Sequence, residues 1–319
     1  MPKRTRPRRG SLQFWPRKRA KRIYTRISHW HSSKDILPLG FAGWKAGMTH
    51  ISYIENNPKS PRAGRLISKA VTILDAPPLF VLSVRFYKKT ENGIKCISEK
   101  WAEKIPKSVE LKRKGIVNPK GKESEDFDDV RIVVATQPSK SGMRKMKPEV
   151  FEMAVGGNKE EKAKYALSML GKEISASDIF KPGEIIDVSS VTKAHGFTGP
   201  VKRFGIRIQG RKDKQMHRHT GSIGGWVPRK VDWRVPLPGQ FGFFSRTEAG
   251  KRLVEVGDDS KKVIPSGGFL GYGIIPNNYI IIEGSVPGTR KRLVRLRKTE
   301  IHPKPVEMSF ISLQSKQGR

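Results

Sequence analysis

LGFAGWKAGMTHI, residues 39–51, is the stretch whose reading decides the fold. Its glycines at 40, 43 and 47 sit inside a strand-like pattern. Glycine there marks a bulge or the close approach of another backbone. Ile51 and Tyr53 continue the pattern, and AVTIL at 70–74 repeats it between Asn56-Asn57-Pro58 and Pro77-Pro78. Such runs bounded by turn residues read as strands. Short strands with frequent turns point to a barrel or a sandwich.

Outward from this stretch the strand pattern resumes at GEIIDVSSV (183–191), LVEV (253–256) and YIIIE (279–283). A glycine-rich turn region spans 266–272, and VPGT at 286–289 is a turn. KRLVRLR (291–297) alternates basic and apolar residues. That pattern predicts a half-buried strand with its cationic face outward. The expectation is one β-barrel assembled from 37–76, 181–193 and 247–300, with a C-terminal tail to 319.

Residues 77–180 interrupt that series and have a different composition. They predict an inserted α+β domain. LFVLSVRFY (79–87) and VRIVVAT (130–136) read as strands. Ile97, Trp101 and Ile105 recur at four-residue steps, which predicts a helix stopped by Pro106. The charged stretch 107–129 reads as a loop. Asn158 with Glu161 resembles a capping box opening a helix through Tyr165, Leu167, Met169 and Leu170, ended by Gly171. Between 77 and 190 stand 22 basic and 17 acidic residues, and those are 17 of the chain's 29 acids. This part is expected to face solvent or other proteins.

The remaining positive charge is concentrated elsewhere. From Lys193 to Arg246 there are 12 Lys and Arg against Asp213 and Asp232. Rings interrupt the charge at His195 and Phe197, at His217 and His219, and at Trp226 and Trp233. Loops this long inside a compact domain are functional or disordered, and a disordered linker rarely carries so many large apolar residues. Residues 194–246 are therefore expected to be a central extension that becomes ordered on a polyanion. Residues 1–36 are expected to be a basic tail, with 12 Lys and Arg and no acid through Lys34. Its rings, including Trp15 and Trp30, alternate with cations. Arg and Lys neutralise phosphates while rings stack on exposed bases.

Composition bounds the partner class. The 319 residues carry 64 Lys and Arg against 29 Asp and Glu, a net charge of +35. That is the electrostatic footprint of a nucleic-acid binder. An anionic membrane would call for a basic amphipathic helix or a lipidation motif, and neither stands in the sequence. No run approaches 18 apolar residues, and the N-terminus has no apolar signal core. The single cysteine, Cys96, permits no internal disulfide. The chain is expected in a reducing intracellular compartment.

Other chemistries find little footing. His195, His217 and His219 could offer three imidazoles, but no carboxylate or thiol completes the set and cations crowd His217. No metal and no cofactor is expected. Gly221-Ser222-Ile223-Gly224 is a G-x-x-G without the helices of a KH unit, so a plain turn explains it as well. Gly224-Gly225 before Trp226 favours a sharp hairpin tip with the indole projecting. Neither paired carboxylates nor a Ser-His-Asp set can be argued, so no catalytic residue and no small-molecule substrate is expected.

The cations expected to meet nucleic acid are Arg4, Arg6, Arg8, Arg9, Arg17, Lys18, Arg19, Lys21 and Arg22 in the tail, with Trp30. Lys45 joins them from the first barrel strand. In the extension they are Lys193, His195, Lys202, Arg203, Arg207, Arg211, Lys212, His217, Arg218, His219, Arg229, Lys230, Arg234 and Arg246. Arg290, Lys291 and Arg292 extend the set at the C-terminal turn.

Several segments together resemble a known family, the large-subunit ribosomal protein L-three family in its archaeal/eukaryotic form. They are GFAGWKAGMT (40–49), VTILDAP (71–77), FKPGEIIDVSSVTKAHGFTGPVKRFG (180–205), GSIGGWVPRKV (221–231), PGQFG (238–242) and GSVPGTRKRLV (284–294). The resemblance covers nearly the whole chain. It implies a β-barrel of the translation-protein type with an inserted α+β domain, a basic N-terminal tail and a long central extension buried in large-subunit rRNA. It also implies early assembly, a cytoplasmic setting, and an extension tip at Gly224, Gly225 and Trp226 near the peptidyl-transferase centre. Lys193, Lys202, Arg203, Arg229 and Lys230 carry over as basic residues. The fourteenth large-subunit protein and a zinc-ribbon-like protein are implied neighbours. The rival readings are a nucleoid protein and an RNA-modifying factor.

Overall fold

The structure is a computed structural model that describes residues 8–110, 126–276, 278–301 and 306–315. The chain divides into two compact units. The larger holds Tyr24–Ser190 and Arg246–Arg319; the smaller holds Met1–Ile23 and Val191–Ser245.

The fold is mostly β. The strands are β1 (Gly40–Ile54), β2 (Leu66–Asp75), β3 (Leu79–Thr90), β4 (Gly93–Trp101), β5 (Asp129–Ala135), β6 (Val150–Ala154), β7 (Glu173–Ile174) and β8 (Ile185–Val191). The smaller unit adds β9 (Ala194–Thr198) and β10 (Gly239–Gly242), and β11 (Ser245–Gly257), β12 (Tyr279–Glu283), β13 (Leu293–Lys298) and β14 (Met308–Ile311) follow. The α-helices are short: α1 (Lys107–Glu110), α2 (Lys159–Ser168) and α3 (Pro200–Phe204).

In the larger unit one sheet runs β13-β8-β11-β12-β2-β1-β14, and β13 also pairs with β1. The hydrogen-bonded path through six strands thus returns on itself. β1 makes this possible by its length. Its first residues, Gly40–Trp44, pair with β13 and its later ones, Trp44–Ile54, pair with β2. Ile51 and Tyr53 point into the core while Ile54 is exposed, the two-residue alternation of a strand. The glycines of the opening stretch are required by what lies against them. A Cβ on Gly40 would stand 2.8 Å from the Trp30 ring, and one on Gly47 would stand 2.6 Å from the Phe269 ring. Large rings cover β1 here, so only hydrogen fits.

The second sheet runs β4-β3-β5-β6, with β7 beside β3. α2 packs on β5. The Glu161 carboxylate accepts from the Asn158 N–H at 3.1 Å at the start of α2, as the sequence pattern predicts. A single buried apolar cluster includes Phe41, Trp44 and Ile73 of the first sheet together with Val84, Ile132 and Met153 of the second.

Two expectations are corrected. The four-residue spacing at Ile97 and Trp101 belongs to a strand, not a helix: β4 pairs antiparallel with β3. Residues four apart share a face in a strand as well as in a helix, so the spacing alone does not separate them. The stretch 107–129 is in part outside the described residues. The second correction concerns β13, whose outward face is not uniformly cationic. Arg295 is only 2% exposed. Its guanidinium donates to the carbonyls of Thr25 (3.1 Å) and Glu152 (2.7 Å) and lies 4.2 Å from the Phe151 ring centroid. Burial lowers its pKa to about 10. Chain remote in sequence covers the position, which alternation within β13 cannot reveal.

Candidate nucleic-acid interface

The smaller unit carries 21 Lys and Arg against Asp213 and Asp232, net +19, which is more than half of the chain's charge. Its framework is a hairpin. β9 and β10 pair antiparallel, with a register irregularity between Gln240 and Gly242. The chain closes beneath them through Thr192 N–H to Phe244 carbonyl (3.0 Å) and Phe243 N–H to Lys193 carbonyl (3.1 Å). α3 follows β9. Pro200 starts it and Gly205, at φ +66°, ends it, the arrangement expected of a proline at N1 and a left-handed C-terminal glycine. Arg203 in its last turn donates to the carbonyls of Leu237 (2.7 Å), Pro238 (3.4 Å) and Gln240 (3.1 Å). That one guanidinium ties the end of the long loop to its beginning.

The N-terminal segment belongs to the same unit. Trp15 stacks on Phe204 at 6.0 Å and meets Trp233 edge-on at 5.2 Å. Arg17 lies 5.6 Å from the Trp15 centroid and 4.8 Å from that of Phe204. Arg8 donates to the Arg234 carbonyl at 2.9 Å, and the Ala20 N–H donates to the Phe243 carbonyl at 2.8 Å. Burial, then Arg8, lowers the pKa of Arg17; burial, then Arg17, lowers that of Arg203. Both guanidiniums feel neighbouring positive charge, so an incoming anion is favoured there.

Between Gly205 and Pro238 the chain is irregular and largely exposed. Trp226 is 78% exposed and has Arg229 5.0 Å from its ring centroid. Gly224 adopts φ +137°, which a side-chain-bearing residue rarely adopts. Among the described residues no three His, Cys, Asp or Glu gather into a metal-binding set.

The expected contact residues fall into distinct groups. Arg8, Arg9, Lys18, Arg19, Lys21, Arg22, Lys193, His195, Lys202, Arg207, Arg211, Lys212, His217, Arg218, His219, Arg229, Lys230 and Arg234 are all exposed in the smaller unit. Arg17 and Arg203 are partly covered there and hold the unit together. Arg4 and Arg6 lie outside the described residues. In the larger unit Lys291 is exposed, while Arg246, Arg290 and Arg292 are half-buried, and burial lowers the pKa of Arg292. Trp30 packs on the core over β1.

Lys45 stands apart from the exposed cations. It is 9% exposed, and its ammonium donates to the carbonyls of Val286 (2.6 Å) and Gly288 (3.5 Å). It fastens the 286–288 turn to β1 and is not presented to solvent. A buried ammonium must find oxygen partners, and backbone carbonyls supply them. Phe197, two residues from His195 and outside the expected contact set, is 79% exposed.

Comparison with known proteins decides the family. The sequence profile described as Ribosomal protein L3 matches residues 1–124 and 118–318. The chain belongs to the ribosomal protein L3 family. Among its relatives, the large ribosomal subunit protein uL3 of Methanopyrus kandleri is 46% identical over 333 residues, covering 98% of this chain and 92% of the relative. The uL3 of Methanococcus maripaludis is 43% identical over 330 residues and covers 99% of both. That of Methanocaldococcus jannaschii is 43% identical over 329 residues and covers 98% of both. L3 membership at this identity and coverage agrees with the archaeal form of the resemblance. Of the two tryptophans between 194 and 246, Trp226 is 78% exposed and Trp233 56%.

Proposed function

We infer that this chain is a structural constituent of the large ribosomal subunit that binds large-subunit rRNA. The observation that carries this reading is the smaller unit, net +19, with most of its described cations exposed and its rings interleaved. Phosphates are neutralised at many points, and the exposed rings of Phe197 and Trp226 can stack on unpaired bases. Family membership and the names of the relatives support the same assignment.

The finer reading follows from the resemblance. The six-strand closed path is read as the translation-type barrel, residues 77–180 as its inserted domain, and 194–246 as the extension. Gly224, Gly225 and Trp226 form its tip, near the peptidyl-transferase centre. The protein joins the cytoplasmic subunit early in assembly, with the fourteenth large-subunit protein and a zinc-ribbon-like protein as neighbours. The exposure of Trp226 supports the tip assignment.

Two measurements test the reading. The tagged chain in cell extract should sediment with large subunits at moderate salt. Binding of the purified chain to large-subunit rRNA should fall steeply with salt, each phosphate contact adding roughly 0.7–0.9 to the log–log slope. A slope near zero would refute it.

A further inference from the structure

We propose that the β9–β10 hairpin is a stacking site for an unpaired nucleobase, with Phe197 as the platform. The proposal rests on the rRNA-binding reading above and names one place where that binding uses a base instead of a phosphate. Phe197 is 79% exposed although it lies within a strand. Among the described residues no ring and no cation covers either face of it. The other rings nearby are engaged: His195 stacks on Phe241 at 5.1 Å and 23°, and Arg19 lies 5.6 Å from the Phe243 centroid. Leaving a phenyl ring in water on an ordered strand forgoes the burial that stabilises other core aromatics.

The platform is held in place before any ligand arrives. Phe197 pairs with Gln240 across the hairpin, and the Gln240 carbonyl accepts from Arg203 at 3.1 Å. Gly242, at φ +74°, lets its strand pass so close to Lys193 that a Cβ would stand 2.0 Å from the Lys193 carbonyl oxygen. A ring fixed in this way loses little freedom when a base stacks on it. The surroundings select the occupant. From Val188 to Lys212 the chain has Lys193, Lys202, Arg203, Arg207, Arg211 and Lys212 and no carboxylate. A flat apolar ring on a segment whose charged side chains are all cationic fits a base carried on a phosphate chain. An apolar segment of another protein would draw nothing from those cations.

The test uses the full chain and two probes of equal charge, a 12-nucleotide oligoadenylate and an abasic ribose-phosphate 12-mer. Phe197→Ala should weaken oligoadenylate binding by about 5- to 150-fold, the range that loss of one base–aromatic stack produces. It should leave the abasic probe and the salt slope unchanged, and Phe197→Tyr should restore binding. Equal affinities of Phe197→Ala and the unaltered chain for oligoadenylate would overturn the proposal, as would an equal loss on both probes or failure of tyrosine to rescue. A vanishing salt slope in the unaltered chain would instead refute the rRNA-binding reading, so the two failures are distinguishable.

Discussion

Asp75, at the end of β2, is a carboxyl group held in the interior, and replacing it makes a quantitative prediction. The side chain is fully buried. Its Oδ2 accepts from the Tyr272 hydroxyl and from the Gly142 N–H at 3.3 Å, while Oδ1 has no hydrogen-bond partner. Burial pushes its pKa from 3.8 up to about 6, against the opposing effect of those two donors. The folded chain therefore holds this proton more tightly than the unfolded chain does. The contribution to stability is fully present below about pH 4 and is lost as pH rises through about 6. A shift of about two units corresponds to roughly 3 kcal/mol in full, most of it lost between pH 4 and 6.5. Asp75→Asn keeps an acceptor for Tyr272 and Gly142 and cannot ionise. Urea unfolding of both chains should be followed across pH 4 to 7.5. The difference in stability should move in favour of the asparagine chain by about 2–3 kcal/mol as pH rises. A difference that stays flat with pH, or moves the other way, would refute the assignment of an ionising, desolvated Asp75.

Lys45→Met removes the ammonium that fastens the 286–288 turn and should destabilise the chain by about 1–3 kcal/mol; if it instead lowers the salt slope of rRNA binding, Lys45 contacts phosphate after all. Arg203→Gln releases the carbonyls of Leu237, Pro238 and Gln240 and should speed limited proteolysis within 205–238 severalfold; unchanged cleavage would show that the loop is held by other means. Trp226→Ala should leave the unfolding free energy of the free chain within about 0.5 kcal/mol of the unaltered chain, as surface substitutions do, yet weaken tRNA binding at the A site in purified ribosomes. Unchanged A-site binding would count against the tip assignment.

Much of this protein is legible without coordinates. The two-residue alternation of Ile51 and Tyr53 and the runs at 70–74 and 279–283 announce strands, because alternation along one strand is a local property. Asn158 and Glu161 announce α2 for the same reason. The partition of charge between 77–190 and the rest of the chain is pure sequence, and it separates the cationic unit from the balanced segment. Other features depend on partners remote in the chain. The four-residue spacing around Ile97 fits helix and strand alike, and only pairing with β3 decides for the strand. Glu91 and Asn92, between the paired Thr90 and Gly93, form the tight turn that joins the two strands. Cations at 45 and 295 look like surface cations in the sequence. Carbonyls at 286 and 288, and at 25 and 152, take them inside, because a donor's burial is set by which acceptors the tertiary fold brings to it. The rings follow the same division. Sequence alone shows that Trp15, Phe197 and Trp226 stand among cations. The fold decides that Trp15 is packed between Phe204 and Trp233 while Phe197 is left open, since stacking partners lie close in space and far apart along the chain.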